Sequence, residues 1–274
     1  HSRVNFAAIT CARYFRRYSC GMDKKPQPLV VPAKWGLPYA EDEVKPVVQR
    51  EQSYIVAFAV LTMIAWQTEL GTLVLMPFTL LATWFHEMAH GLTAAALGAD
   101  FERLVIYANG SGFAEYSGTL GDVGQAIVAA IGLLGPTIAG CLMIIAARSR
   151  RATRWGLLVL GLALAISTVI WVRSIAGWIV LPLFAVAAVC IALRGNERWQ
   201  RISVEFTGVQ GAVSVYQDLG YLFSPGGVVG GQFLLSDTGR IAEALFLPYW
   251  FWGGAITIAI VAMVWKSLQI AGRY

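Results

Sequence analysis

His86, Glu87 and His90 form an H-E-x-x-H pattern inside a run of apolar residues. Residues four apart share one face of a helix, a turn from each other. Two imidazoles so placed can grip one tetrahedral metal ion, most often zinc. The glutamate next to the first histidine then stands near the open coordination position, where it can take a proton from activated water. A structural zinc site is closed by four protein ligands, so this pattern points to catalysis. The chain holds three histidines, His1, His86 and His90, and two of them make up the pattern. The plainer alternative is a helix whose two histidines are each satisfied by a neighbour. Its flanks argue against that: Leu80, Leu81, Trp84 and Phe85 precede the pattern, and Leu92, Ala94 and Leu97 follow it. Ionisable groups in such surroundings are costly and mark function.

The elements that must position these groups lie in a membrane. The 274 residues are 57% hydrophobic and 14% charged, with a mean hydropathy of +0.60. A soluble domain is nearer ~45–50% apolar and ~25% charged. The composition predicts an all-α polytopic protein with about six to seven transmembrane segments, each needing about 20 apolar residues. The net charge of +5 comes from basic residues in the N-terminal arm and in short loops. That is the pattern of membrane-flanking positives, not of a nucleic-acid partner. Cys11, Cys20, Cys141 and Cys190 form no C-x-x-C pair, and none is assigned to the metal.

Residues 1–52 read as a polar, proline-rich arm outside the bilayer, and 53–274 as the membrane domain. Within the arm, 1–21 carries Arg3, Arg13, Arg16 and Arg17 with no acid, and reads as targeting, vector-derived or upstream sequence. Candidate spans follow at 53–66, 71–98, 123–147, 156–172, 175–193 and 248–268. The segment 202–223 reads as a more polar helix, 224–231 as a glycine-rich loop, and 232–247 carries Asp237-Thr238-Gly239-Arg240. The second span carries the histidines, with Pro77 upstream as a kink. Residues 99–121 do not read as helix. Leu104 to Tyr107 is strand-like, Asn109-Gly110 signals a hairpin turn, and Gly112 to Tyr116 returns. A short β-hairpin directly after the metal-motif helix has an open edge, which can pair with an extended peptide. An ordinary loop outside the membrane is the other reading.

Two histidines leave zinc short of a protein ligand, and no further histidine follows. The downstream oxygen donors include Asp100, Glu102, Glu115, Asp218 and Asp237. Loop acids beside basic residues, such as Glu197, read as solvated charges. The residues alone leave the third ligand open.

His86-Glu87-x-x-His90-Gly91 in a membrane helix, then Asn109-Gly110 with its glycine-rich hairpin, then Gly135-Pro136, resemble the site-2 protease family of intramembrane zinc metalloproteases. The resemblance runs from Trp84 to Trp252. In that family an aspartate in a later Leu-Asp-Gly motif completes the metal site. Leu234-Leu235-Ser236-Asp237-Thr238-Gly239-Arg240 is similar, and the match implies Asp237 as third ligand, with Asp218 the next choice. Ser236 and Thr238 interrupt the motif, and no proline immediately precedes it. The chain has no room for a PDZ domain and resembles the compact PDZ-less subgroup. The resemblance implies one zinc ion, with Glu87 as general base for peptide hydrolysis. It also implies a membrane protein substrate, whose transmembrane helix must unwind within the lipid bilayer. Pairing with Ala108 to Tyr116 would hold that segment extended, with Asn109, Gly110 and Gly112 as substrate contacts. Two alternatives keep the metal: a zinc-dependent membrane hydrolase of a lipid or small amide, and a non-enzymatic metal-binding transporter or scaffold.

Overall fold

The computed structural model describes residues 44–217, 219–229 and 232–272. The arm up to residue 43, with Cys11 and Cys20, and Asp218 lie outside the described residues. What is described is mostly helical, as the composition predicts. A helix α1 (Val44–Ala65) turns through 118° into α2 (Glu69–Ala96), which carries the metal motif. Thr68 caps α2: its Oγ1 accepts from the Gly71 N–H at 3.0 Å and donates to the Ala65 carbonyl at 2.9 Å.

A two-stranded antiparallel hairpin follows directly, β1 (Asp100–Ile106) and β2 (Gly112–Ser117), as the turn signal predicts. Gly110 sits in its turn at φ 91°, a conformation other residues rarely adopt. Then come α3 (Asp122–Ala146), the antiparallel pair α4 (Arg150–Ile170) and α5 (Ile175–Arg194), and α6 (Glu197–Val213). After a 3₁₀ turn and a single turn of helix, α7 (Leu219–Leu222), a second hairpin appears, β3 (Gly226–Val229) with β4 (Gln232–Leu235). The chain closes with α8 (Asp237–Leu245) and α9 (Tyr249–Ala271).

Four helices, α3, α4, α5 and α9, are long and apolar enough to cross a membrane, and five spans result if the bent α1–α2 pair counts as one. This is a multi-pass membrane protein with fewer such helices, among the described residues, than the six to seven expected. The difference lies first in 53–66 and 71–98, which form the bent α1–α2 pair and not two straight spans, and then in the polar stretches. Of the segment 202–223, α6 is helical only to Val213 and has 17 residues. At 1.5 Å per residue that is about 25 Å, short of the ~30 Å hydrocarbon core. Residues 232–247 are a short strand and a 9-residue helix.

The apolar residues left exposed, among them Leu142, Val159, Ile175, Leu183 and Val261, face outward on the spanning helices. Inside, one cluster packs α2 through Leu80, Leu81 and Trp84 against Leu104, Leu164, Val172 and Leu181. Trp84 Nε1 donates to Ser167 Oγ at 2.9 Å within it, fixing α2 against α4. A second cluster joins α3, α8 and α9 through Ala129, Leu133, Ile241 and Ile256. The long helix α3 therefore borders the motif helix on one side and α8 on the other. The catalytic candidates stand at that seam.

Candidate metal centre

His90 is set by α3. Its Nδ1 lies 3.0 Å from the Val128 carbonyl oxygen. A carbonyl can only accept, so Nδ1 carries the proton and Nε2 presents its lone pair. The ring lies flat on α3 because residue 132 is glycine: a Cβ there would be 2.0 Å from Cε1 and 2.2 Å from Nε2. The helical spacing does what the pattern predicts. His86 Nε2 and His90 Nε2 stand 3.0 Å apart.

Asp237 comes to the same point from the first turn of α8. Its Oδ2 is 3.0 Å from His86 Nε2 and 3.4 Å from His90 Nε2. Bonds of ~2.0–2.1 Å in a tetrahedron put ligand atoms about 3.4 Å from one another, so the three atoms are spaced as zinc ligands are. Oδ2 is buried and, despite both rings nearby, has no properly directed hydrogen-bond donor. Buried polar atoms are rarely left so. An acceptor aimed at two ring nitrogens, one of them held as a lone-pair donor, suits a shared cation better than a shared proton. Among the described residues, His86, His90 and Asp237 are the group of metal-ligating type that converges in this way.

A family model of the M50B-like peptidases matches residues 54–267. The chain belongs to that family. No curated protein and no solved structure matches it. The M50B-like peptidase thus has the membrane metallopeptidase framework that its motif and apolar helices foreshadow, over nearly all of its described length.

Around the triad of this peptidase is a cavity of ≈ 60 Å³, room for water. Glu87 is buried in its wall. Its carboxylate faces His86, His90, Asp237 and the N–H of Ala114. The outer edge of β2 lines the same cavity beside Glu87. Leu104 gives its N–H to the Trp171 carbonyl at 2.8 Å and takes the Arg173 N–H at 2.9 Å. Ile106 gives its N–H to Ser174 Oγ at 3.1 Å. The outer edge of β1 is therefore taken by the α4–α5 connection. Leu104 pairs with Ala114 and Ile106 with Gly112, so the amides of Gly112, Ala114 and Tyr116 point away from β1. The same three residues line the cavity. β2's far edge carries no partner strand among the described residues.

Tyr221 and Arg240 complete the cavity wall. Burial pushes the Tyr221 phenol above its ordinary value, and the charges of Asp237 and Glu87 add to this. It stands in the wall as a neutral donor. Neither residue is foreseen from sequence. Nor are Val128 and Gly132, which carry no motif and act only by facing His90.

The other expected residues are placed as follows. Gly112 lines the cavity, Gly110 accepts from Thr83 Oγ1 in the turn, and Asn109 lies outside the lining. The Asn109 carboxamide oxygen is used within the turn, accepting from the Ser111 N–H at 3.1 Å and hydroxyl at 2.8 Å. Glu115 pairs with Arg103 instead of approaching the histidines. Asp100 and Glu102 are exposed on β1. Glu197 and Glu205 pair with Arg150 and Arg201.

Proposed function

We propose that this M50B-like peptidase is a zinc metalloprotease that hydrolyses peptide bonds of membrane-spanning substrates within the bilayer. The observation that carries the reading is the convergence of His86 Nε2, His90 Nε2 and Asp237 Oδ2 next to the buried Glu87. Zinc held by these three residues would supply a Lewis acid that polarises the scissile carbonyl and acidifies water. Glu87 then takes the proton of the attacking water and delivers it to the leaving amine. His90 keeps its lone pair on the site because Val128 holds the other ring nitrogen. The β2 edge binds the substrate segment in extended form through Gly112, Ala114 and Tyr116. The outward backbone groups of Gly112 and Tyr116 and the Ala114 carbonyl border the cavity beside Glu87, whose carboxylate takes the Ala114 N–H, so a segment paired there brings its backbone to the base. That strand edge favours a peptide over a lipid or small amide, which has no second ladder of amides to offer.

The test uses the full chain purified in detergent or liposomes with a single-span protein substrate. The expected result is cleavage by the parent, loss on chelation, and recovery with zinc. A parent that binds zinc yet releases no new peptide amine, while cleaving a lipid amide, would overturn the reading in favour of the lipid hydrolase.

A further inference from the structure

The family motif has a leucine before the aspartate and a glycine directly after it, whereas this chain has Ser236 and Thr238 at those positions. Both side chains are 0% exposed. A hydroxyl is costly to bury without partners, and both have several. Ser236 Oγ donates to the Ser224 carbonyl at 2.6 Å and accepts the Gly239 N–H at 3.0 Å. Thr238 Oγ1 donates to the Leu222 carbonyl at 2.9 Å. The two hydroxyls lie 3.1 Å from each other. The backbone adds a further tie, from the Ser236 N–H to the Pro225 carbonyl at 3.2 Å. Asp237 is thus clamped on both sides, by residues i−1 and i+1, to the segment from Leu222 to Pro225. That segment leaves α7, the turn that bears Tyr221.

We infer that Ser236 and Thr238 are positioning residues that hold the Asp237 carboxylate at the metal centre, taking the place of the usual residues around the aspartate. The inference rests on Asp237 being a metal ligand. A carboxylate on the first turn of a 9-residue helix, one of the shorter elements of the fold, needs such anchoring. Its Oδ2 must stay within a few tenths of an ångström of the spacing set by the two rings. Hydrogen bonds that orient a metal ligand commonly govern affinity tenfold to a hundredfold, and here they act through the backbone on either side of Asp237 and not on its carboxylate. Ordinary helix capping by Ser236 accounts for the Gly239 bond. It does not account for Thr238, whose hydroxyl makes no bond to its own helix and crosses to Leu222.

The experiment measures zinc affinity by chelator competition and the visible spectrum of the cobalt-substituted protein, for Thr238→Val, Thr238→Ser, Ser236→Ala and Asp237→Ala in the full chain. The melting temperature of each metal-free protein is recorded beside them. Thr238→Val keeps the shape and removes the bond. It is expected to weaken zinc by about tenfold or more and alter the cobalt bands, beyond what the modest fall in metal-free melting temperature from one lost hydrogen bond accounts for. Thr238→Ser restores the hydroxyl and is expected to bind as the parent does. Ser236→Ala gives the second variant should Thr238→Val fail to fold. Parental affinity and spectrum in both Thr238→Val and Ser236→Ala, with Asp237→Ala losing metal, would overturn the positioning role alone. The same holds if affinity falls only in step with metal-free stability, or if Thr238→Ser fails to rescue. Parental affinity in Asp237→Ala itself would instead overturn the ligand assignment on which the inference depends.

Discussion

Leu104 and Ala114 face each other across the β1–β2 hairpin without bonding their own amides, because Leu104 spends both of its backbone groups on Trp171 and Arg173. Ala114 is thereby turned outward, toward Glu87. Gly112 and Tyr116 follow it by the two-residue period of a strand. An extended substrate paired on this edge has alternate amides directed into the ladder. N-methylation of substrate residues around the scissile bond is therefore expected to show the same parity. Methyl groups on every second residue should cut cleavage tenfold or more, about the worth of one hydrogen bond lost with its desolvation. The intervening positions should tolerate the methyl group. Mass-spectrometric rates on a matched peptide series check this, and equal sensitivity at all positions would exclude strand pairing.

Glu87 is buried with no metal-ligating geometry of its own, beside three residues that have it. Glu87→Gln is expected to retain one zinc per chain and lose hydrolysis by about 10²–10⁴-fold. Metal analysis and single-turnover cleavage on the same preparation check both halves. A variant that still cleaves at the parental rate would exclude the base.

Gly132 touches the His90 ring so closely that even a methyl group has no place. Gly132→Ala is expected to displace the ring and reduce zinc affinity at least tenfold, with activity falling in parallel. Gly254→Ala, on α9, is the control, since a Cβ there meets nothing within 4 Å. Chelator competition on the pair checks the difference.

The legible part of this molecule was the part with short-range logic. H-E-x-x-H needs only one helical turn to bring His86 and His90 together. Asn109-Gly110 closes β1–β2 by local turn geometry, and long apolar runs declare α3, α4, α5 and α9. Asp237 is a different case. It meets the histidines across about 150 residues of chain, and no periodicity carries that distance; only the resemblance of 234–240 to a family motif pointed to it. The strand β3 lies where 224–231 reads as a glycine-rich loop, since Gly226 and Gly227 offer no side chains for an alternating pattern. Val128 acts through its carbonyl and Gly132 through a missing side chain, and neither feature shows in a residue's type. Tyr221 and Arg240 reach the cavity only because α8 packs on α3 and the turn of α7 is tied to it through Thr238.

The Trp84–Ser167 hydrogen bond is buried where no water can replace it. Ser167→Ala is expected to lower stability by about 0.5–1.5 kcal/mol, near the lower end given the weaker worth of such bonds between membrane helices. Thermal or denaturant unfolding in detergent checks it. Zinc stoichiometry at low temperature should stay at the parental value, since the bond anchors the far side of α2.

The length of α2 has a mechanical consequence. Its 28 residues make a rod of about 42 Å at 1.5 Å per residue, roughly 12 Å more than the oily layer is thick. Where the bent α1–α2 pair crosses the bilayer as one span, such a rod leans, or pinches the leaflets around it. Either adjustment shortens the route from the aqueous phase to the histidines, so the lipid itself, by its chain length, should act as a throttle on turnover.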